Sequence, residues 1–291
     1  MRAKFFLWSA LALATEQTAS AEIRVVGTDQ LGQTFHRAVE KFVHENDTAI
    51  RLDLRGSRPG LETLHTGGAE VGLFIFPPGE LPPGDTYIYR PIAYQTAMVL
   101  VSVRLPLTEI TTGQLRDIFG SAAKNSPERW GELGLSGPER ARMIAPRALT
   151  DRCGLSLPLF RRVVLQDGAL RQSVELENNI PALLGRLLAS DNSIGLVPYL
   201  SAVPDGLRVL AISPQLTDPA YTPSSESLHD GTYPLRLPVY VVFPRAAAPQ
   251  LLFFLKFLLS DECAEALALA NFVPLPAAAR HQLVFAFEEL H

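Results

Sequence analysis

Cysteine is almost absent. Cys153 and Cys263 are the only two in 291 residues, too few for a disulfide framework or a cysteine-rich metal site. Positive charge is not in excess either: 26 Lys and Arg against 30 Asp and Glu leave a formal net charge of −4, so no basic field exists to hold nucleic acid. No apolar run is long enough for a membrane span, since ~30 Å of hydrocarbon needs about 20 helical residues. The two strongest runs, 5–14 and 251–259, are far shorter, and the second contains Lys256. Missing too are the G-x-S-x-G nucleophile elbow and the G-x-x-x-x-G-K-[ST] phosphate loop. The six histidines show no zinc-type pairing; His36 and His44, two turns apart on one predicted helix, stand too far apart to share an ion. No catalytic constellation, cofactor motif or metal site remains, and the chain reads as a non-enzyme. With 47% hydrophobic residues it is not intrinsically disordered.

What is present begins with an export signal. Arg2 and Lys4 precede an apolar stretch at 5–14 (FFLWSALALA), and Ala19-Ser20-Ala21 supplies small residues for cleavage. Residues 1–21 are therefore predicted to be a signal peptide. No cysteine follows the apolar stretch, which argues against a lipid-anchored start. Cleavage would leave 270 residues, shift the net charge from −4 to −5 through loss of Arg2, Lys4 and Glu16, and retain Trp130 as the only tryptophan. The mature protein is expected to be exported and soluble.

Short β-branched runs then alternate with amphipathic helices, which predicts an α/β fold. Strands are expected at 22–26, 50–54, 71–76, 92–103, around Ile144, and at 193–197 and 239–243. Helices are expected from Leu31 to Val43, with Thr28 or Asp29 as cap, then at 61–66, 112–119, 155–166, 180–190 and about 249–270. Pro77-Pro78 with Pro82-Pro83, and residues 213–234, read as loops. Two strand-to-helix transitions carry the chemistry: Val26-Gly27-Thr28 and Leu54-Arg55-Gly56-Ser57. Each puts a hydroxyl residue and unpaired backbone N–H groups at the positive end of a helix, an arrangement that binds anions. Ser and Thr also cap helices for purely structural reasons, and Asp29 is itself a capping residue type.

The order of segments resembles the phosphate-binding proteins of ABC phosphate transporters, the PstS-like group of the type II periplasmic binding-protein superfamily. The resemblance runs through Val26-Gly27-Thr28-Asp29-Gln30-Leu31, Gly56-Ser57 with Gly60, and Thr66-Gly67-Gly68-Ala69-Glu70-Val71-Gly72. It continues in Gln114-Leu115-Arg116-Asp117-Ile118-Phe119-Gly120, Trp130-Gly131-Glu132-Leu133-Gly134, Ser193-Ile194-Gly195-Leu196-Val197-Pro198 and Asn271-Phe272-Val273-Pro274. It covers nearly all of 22–276 in order. It implies two α/β lobes, 22–97 plus 239–291 and 98–238, joined by a hinge of two crossing segments near 98–103 and 233–239.

The resemblance also implies a ligand set. Gly27, Thr28, Gly56 and Ser57 match the first-lobe donors, and Arg147 falls where the family places an arginine, whose fork can hold two oxygens of an oxyanion. The family's Ser-Gly-Thr turn is replaced by Cys153-Gly154-Leu155, which offers only a weak thiol donor. Ile75 matches the position where some members carry an acid. Arg55, Arg58 and Arg152 are possible replacement charges. The implied function is a monomeric periplasmic receptor that binds a small oxyanion, phosphate or related, and hands it to an ABC permease, without cofactor, metal, nucleic acid or stable membrane insertion. The alternative is an interaction or sensing module that kept the fold and lost the ligand. The two cysteines fall in different lobes and are expected to be free thiols.

Overall fold

Strand β4 (Tyr87–Ser102), sixteen residues long, organises the molecule. The computed structural model describes residues 22–77, 80, 84–122 and 125–290. The signal peptide expected over 1–21, and Pro78, Pro82 and Pro83 of the expected loop, lie outside the described residues. Before β4 come β1 (Ile23–Gly27), β2 (Ile50–Asp53) and β3 (Val71–Ile75). After it come β5 (Glu109–Thr111), β6 (Ala145–Leu149), β7 (Glu175–Glu177), β8 (Ser193–Pro198), β9 (Leu207–Val209), β10 (Ala211–Ser213), β11 (Arg236–Pro244) and β12 (Val273–Pro274). The helices are α1 (Gly32–Asn46), α2 (Ser57–His65), α3 (Thr112–Phe119), α4 (Ser156–Val163), α5 (Ile180–Leu188), α6 (Ser225–Asp230), α7 (Ala248–Leu258), α8 (Asp261–Leu269) and α9 (Ala277–Glu288).

One mixed sheet runs in the order β2-β1-β3-β11-β4-β8-β6-β7, with β9 and β12 also on β4; β5 and β10 form a separate parallel pair. β4 pairs antiparallel with β11 from Tyr87 to Thr96, then with β8 from Ala97 to Val101. It thus belongs to two half-sheets and changes partner between Thr96 and Ala97. Around it, β1, β2 and β3 run parallel to one another, as do β6, β7 and β8. Parallel strands covered on both faces read as unbroken apolar runs, and all five residues of β3 are buried. At the partner change, the buried Tyr233 hydroxyl donates to Ala97 O at 2.8 Å and the buried Thr96 hydroxyl donates to Leu235 O. Burial pushes the Tyr233 phenol pKa far up, so it stays a neutral donor.

Several elements differ from the sequence expectation, each for a local reason. Helix α2 starts at Ser57 rather than 61, because Gly56 turns the chain at φ 127° and Pro59 falls in the first turn, where no N–H is needed. Strand β6 runs through Pro146 to Leu149 instead of ending before the proline. The loop expected over 213–234 contains α6, fixed by a capping box of Ser224 and Ser227. The single helix expected to about 270 is two, α7 and α8, because Ser260 caps the second by accepting from Cys263 N–H. Helix α9 was not foreseen. Both thiols are free; Cys263 is buried, and desolvation pushes its pKa up to about 12. Among the described residues no helix is long and apolar enough to cross a membrane.

The first half-sheet carries one acid-sensitive fastener. Glu70, just before β3, accepts from Arg24 N at 2.7 Å and from Arg24 Nη2 at 2.8 Å. Partial burial raises the Glu70 pKa, but the bonds from Arg24 outweigh it and hold the carboxyl below its ordinary value. A depressed carboxylate contributes stability that is complete above the unfolded value of about 4.3 and is lost as pH falls through the folded value. Glu70→Gln should therefore lower stability at pH 7 by about 0.5–1 kcal/mol in urea unfolding, and the difference from the native chain should close below about pH 4.

Candidate functional site

Two strand-to-helix transitions are bolted together by backbone. Gly56 N–H donates to Gly27 O at 2.7 Å, and Thr28 N–H donates to Leu73 O at 2.8 Å. A Cβ on Gly27 would lie 2.0 Å from Leu73 O, and one on Gly60 would lie 2.9 Å from Gly27 N. Only glycine lets α2 approach β1 this closely. The result is that Thr28 and Ser57 stand at neighbouring helix starts. Thr28, buried at the head of the Asp29–Leu31 3-10 turn that leads into α1, accepts from Gln30 N–H at 3.3 Å. Ser57 accepts from Ile75 N–H at 3.0 Å. Each hydroxyl is oriented as an acceptor, and among the described residues neither donates, so each keeps a proton for a ligand. Helix α2 adds the N–H groups of Ser57 and Arg58; Pro59 has none.

A cleft of about 490 Å³ opens in front of these hydroxyls. Thr28, Asp29, Gln30, Ser57, Ile75 and Glu80 line it from the first half-sheet side, with Pro77. Leu155, Pro158, Leu159 and Arg162 of the α4 region line the other, with Asp167 beyond the helix and Leu237 of β11 completing it. The two walls differ in chemistry. Hydroxyl donors sit on the first beside the Asp29 and Glu80 carboxylates, while the side chains of the second are apolar except for Arg162 and Asp167, whose Nη1 and Oδ2 pair at 2.6 Å. The second wall also holds the uncapped start of α4 at Leu155. Asp29 accepts from Gln30 Nε2 at 3.0 Å.

The sequence-predicted residues divide between the walls unevenly. Thr28 and Ser57 line the cleft, with Gly27 and Gly56 as the backbone behind them. Arg147 does not line it. Its side chain is nearly buried (12% exposed), its Nε donates to Ser193 Oγ at 3.3 Å, and its guanidinium pairs with Glu175 and, at 3.6 Å, with Glu177. The cause is strand register: β6 pairs with β7 as Arg147↔Glu175 and Leu149↔Glu177. Alternation then puts both carboxylates on the Arg147 face. The Cys153 thiol donates to Asn178 O at 3.1 Å, and Gly154 turns the chain at φ 119° just ahead of Leu155. Neither Cys153 nor Gly154 lines the cleft. Arg55 pairs with Asp53, exposed Arg58 faces Glu80 at 4.0 Å, and Arg152 is on the surface. Trp130 is wholly buried, with its indole donating to Asn192 O, and does not line the cleft.

Gln30, Glu80, Pro158, Leu159, Arg162 and Asp167 escaped sequence reasoning. A usable signal existed: 155, 159 and 162 recur at spacings of four and three, one face of a helix. Ser156, buried with no partner for its hydroxyl among the described residues, was also missed.

No family model matches the chain. Protein SphX of Synechococcus elongatus is 28% identical over a 279-residue alignment that covers 90% of this chain and 81% of that protein. Among solved structures, PstS from Borrelia burgdorferi matches with a TM-score of 0.70 at 15% identity, over 87% of this chain and 98% of its own. An ABC-type phosphate transport receptor from Vibrio cholerae matches with a TM-score of 0.65 at 17% identity, over 88% and 100%. The fold is therefore that of these phosphate-receptor structures, the two-lobed type II periplasmic binding-protein fold, and in sequence the chain is similar to protein SphX.

The geometry assigns Arg147 to β6, where it pairs with carboxylates of the edge strand β7. Arg147→Met should lower stability by about 1–2 kcal/mol, since hydrogen bonds to charged partners are lost, read as a reduced urea midpoint with unchanged slope.

Proposed function

We propose that the chain is an exported solute receptor that holds a small oxyanion of the phosphate class between its lobes and presents it to an ABC permease. The observation that carries this reading is the pair of hydroxyls, Thr28 and Ser57, at two helix starts locked together by Gly56 and Gly27. An anion leaving water must find fixed donors, because an unpaired buried charge is too costly to hold. These helix ends supply hydroxyl protons, free N–H groups and about half a positive charge each. The similarity to PstS and to a phosphate transport receptor supports the ligand class and the permease partner.

In this reading the lobes are residues 22–97 plus 239–291 and residues 98–238, with β4 and the approach to β11 as the hinge. Gly27, Thr28, Gly56 and Ser57 form the first-lobe half of the site. The Cys153-Gly154 turn sets the position of Leu155 opposite. The protein works as a monomer in the periplasm, delivered there by residues 1–21, and binds without performing chemistry.

Calorimetric titration of the chain from residue 22 with phosphate, sulfate and molybdate tests this. Saturable heat with at least one of them is expected. Thr28→Val and Ser57→Ala should each weaken that binding about tenfold, ~1.4 kcal/mol, by removing one donor. Flat titrations with all three would sink the reading and leave an interaction module as the better account.

A further inference from the structure

We propose that the cleft takes a tetrahedral oxyanion carrying a short organic arm, as a phosphate monoester or a phosphonate, in preference to the bare inorganic ion; this rests on the receptor reading above. The two walls make the case. Donors converge on one side, at Thr28, Ser57 and the first N–H groups of α2. Across from them stand Leu155, Pro158 and Leu159, with Leu237 between. A bare oxyanion presents acceptor oxygens in every direction. Enclosed here, its oxygens facing the Leu155, Pro158 and Leu159 side chains, away from the uncapped first N–H groups of α4, would give up water and meet hydrocarbon, which leaves buried acceptors unsatisfied.

The polar groups of that wall do not remedy this. The Arg162 guanidinium is paired with Asp167, and an isolated carboxylate repels an anion. Arg147 on β6 is paired with Glu175 and Glu177, and Arg161 of α4 is paired with Asp151. An ion with one oxygen esterified, or with one oxygen replaced by carbon, directs a non-acceptor toward the apolar wall and its remaining oxygens toward the donors. Each carbon covered there adds roughly 25 cal/mol per Å² of area removed from water. The cleft volume of about 490 Å³ also lies within the ~300–1,000 Å³ typical of sites that enclose organic ligands.

Calorimetry of the chain from residue 22 with inorganic phosphate, ethylphosphonate and monoethyl phosphate tests the proposal. At least one arm-bearing ion should bind ten times more tightly than inorganic phosphate. Leu155→Ala, at a half-buried position, should shrink that ratio severalfold. If inorganic phosphate binds as tightly as both organic ions, the organic-arm proposal is overturned and the receptor reading stands. An unchanged ratio in Leu155→Ala overturns the placement of the arm on α4. If none of the three binds, both the proposal and the receptor reading fall.

Discussion

The structure depends on β4 being shared. One strand pairs with β11 in one half-sheet and, a few residues later, with β8 in another. At the exchange point the chain would leave polar atoms without partners, and two buried hydroxyls close the gap. Tyr233 donates to Ala97 O and Thr96 to Leu235 O. Buried groups of this kind are costly to leave unmade, so the two half-sheets are joined through a narrow waist that these two bonds tie. A waist of one continuous strand and one neighbour can twist without breaking a ladder.

The same economy of backbone governs the first half of the site. Gly27 and Gly60 place no side chain between β1 and its neighbours β3 and α2, and the distances to Leu73 O and Gly27 N leave no room for one. That closeness lets Gly56 N–H reach Gly27 O and brings two helix starts side by side. The positions of Thr28 and Ser57 are thus set by main-chain packing, which is stiffer than an arrangement of side chains on loops. The bond from Ile75 N–H to Ser57 extends the same frame to the end of β3.

Much of the fold was legible because it follows from local pattern. Helix α3 is read correctly to both ends, since Thr111 and Gln114 form a capping box in a four-residue span. The placing of Thr28 and Ser57 at neighbouring strand-to-helix turns was legible for the same reason: strand, glycine, hydroxyl and helix follow one another in sequence. The second half was not. Whether Arg147 faces a ligand or a carboxylate depends on β7 pairing in the register Arg147↔Glu175, a partner 28 residues away that no local spacing reveals. The break between α7 and α8 was hidden in a different way. Strong apolar character runs across it, and only Ser260 followed by Asp261 and Glu262 marks the new start.

An acidic molecule that binds anions must separate its long-range field from its local one. With a formal charge of −4, the chain does not steer an anion toward itself, and screening over about 8–10 Å at physiological salt makes that repulsion modest. Selection then falls to groups in contact with the ligand. Helix ends and hydroxyls are suited to this, because they present partial positive charge without a compensating counter-ion. The arginines are not: Arg55, Arg147 and Arg162 are each tied to a carboxylate. What the cleft can distinguish is therefore the shape of the ion more than its charge, and the apolar wall of α4 sets which face of that ion must be free of acceptors.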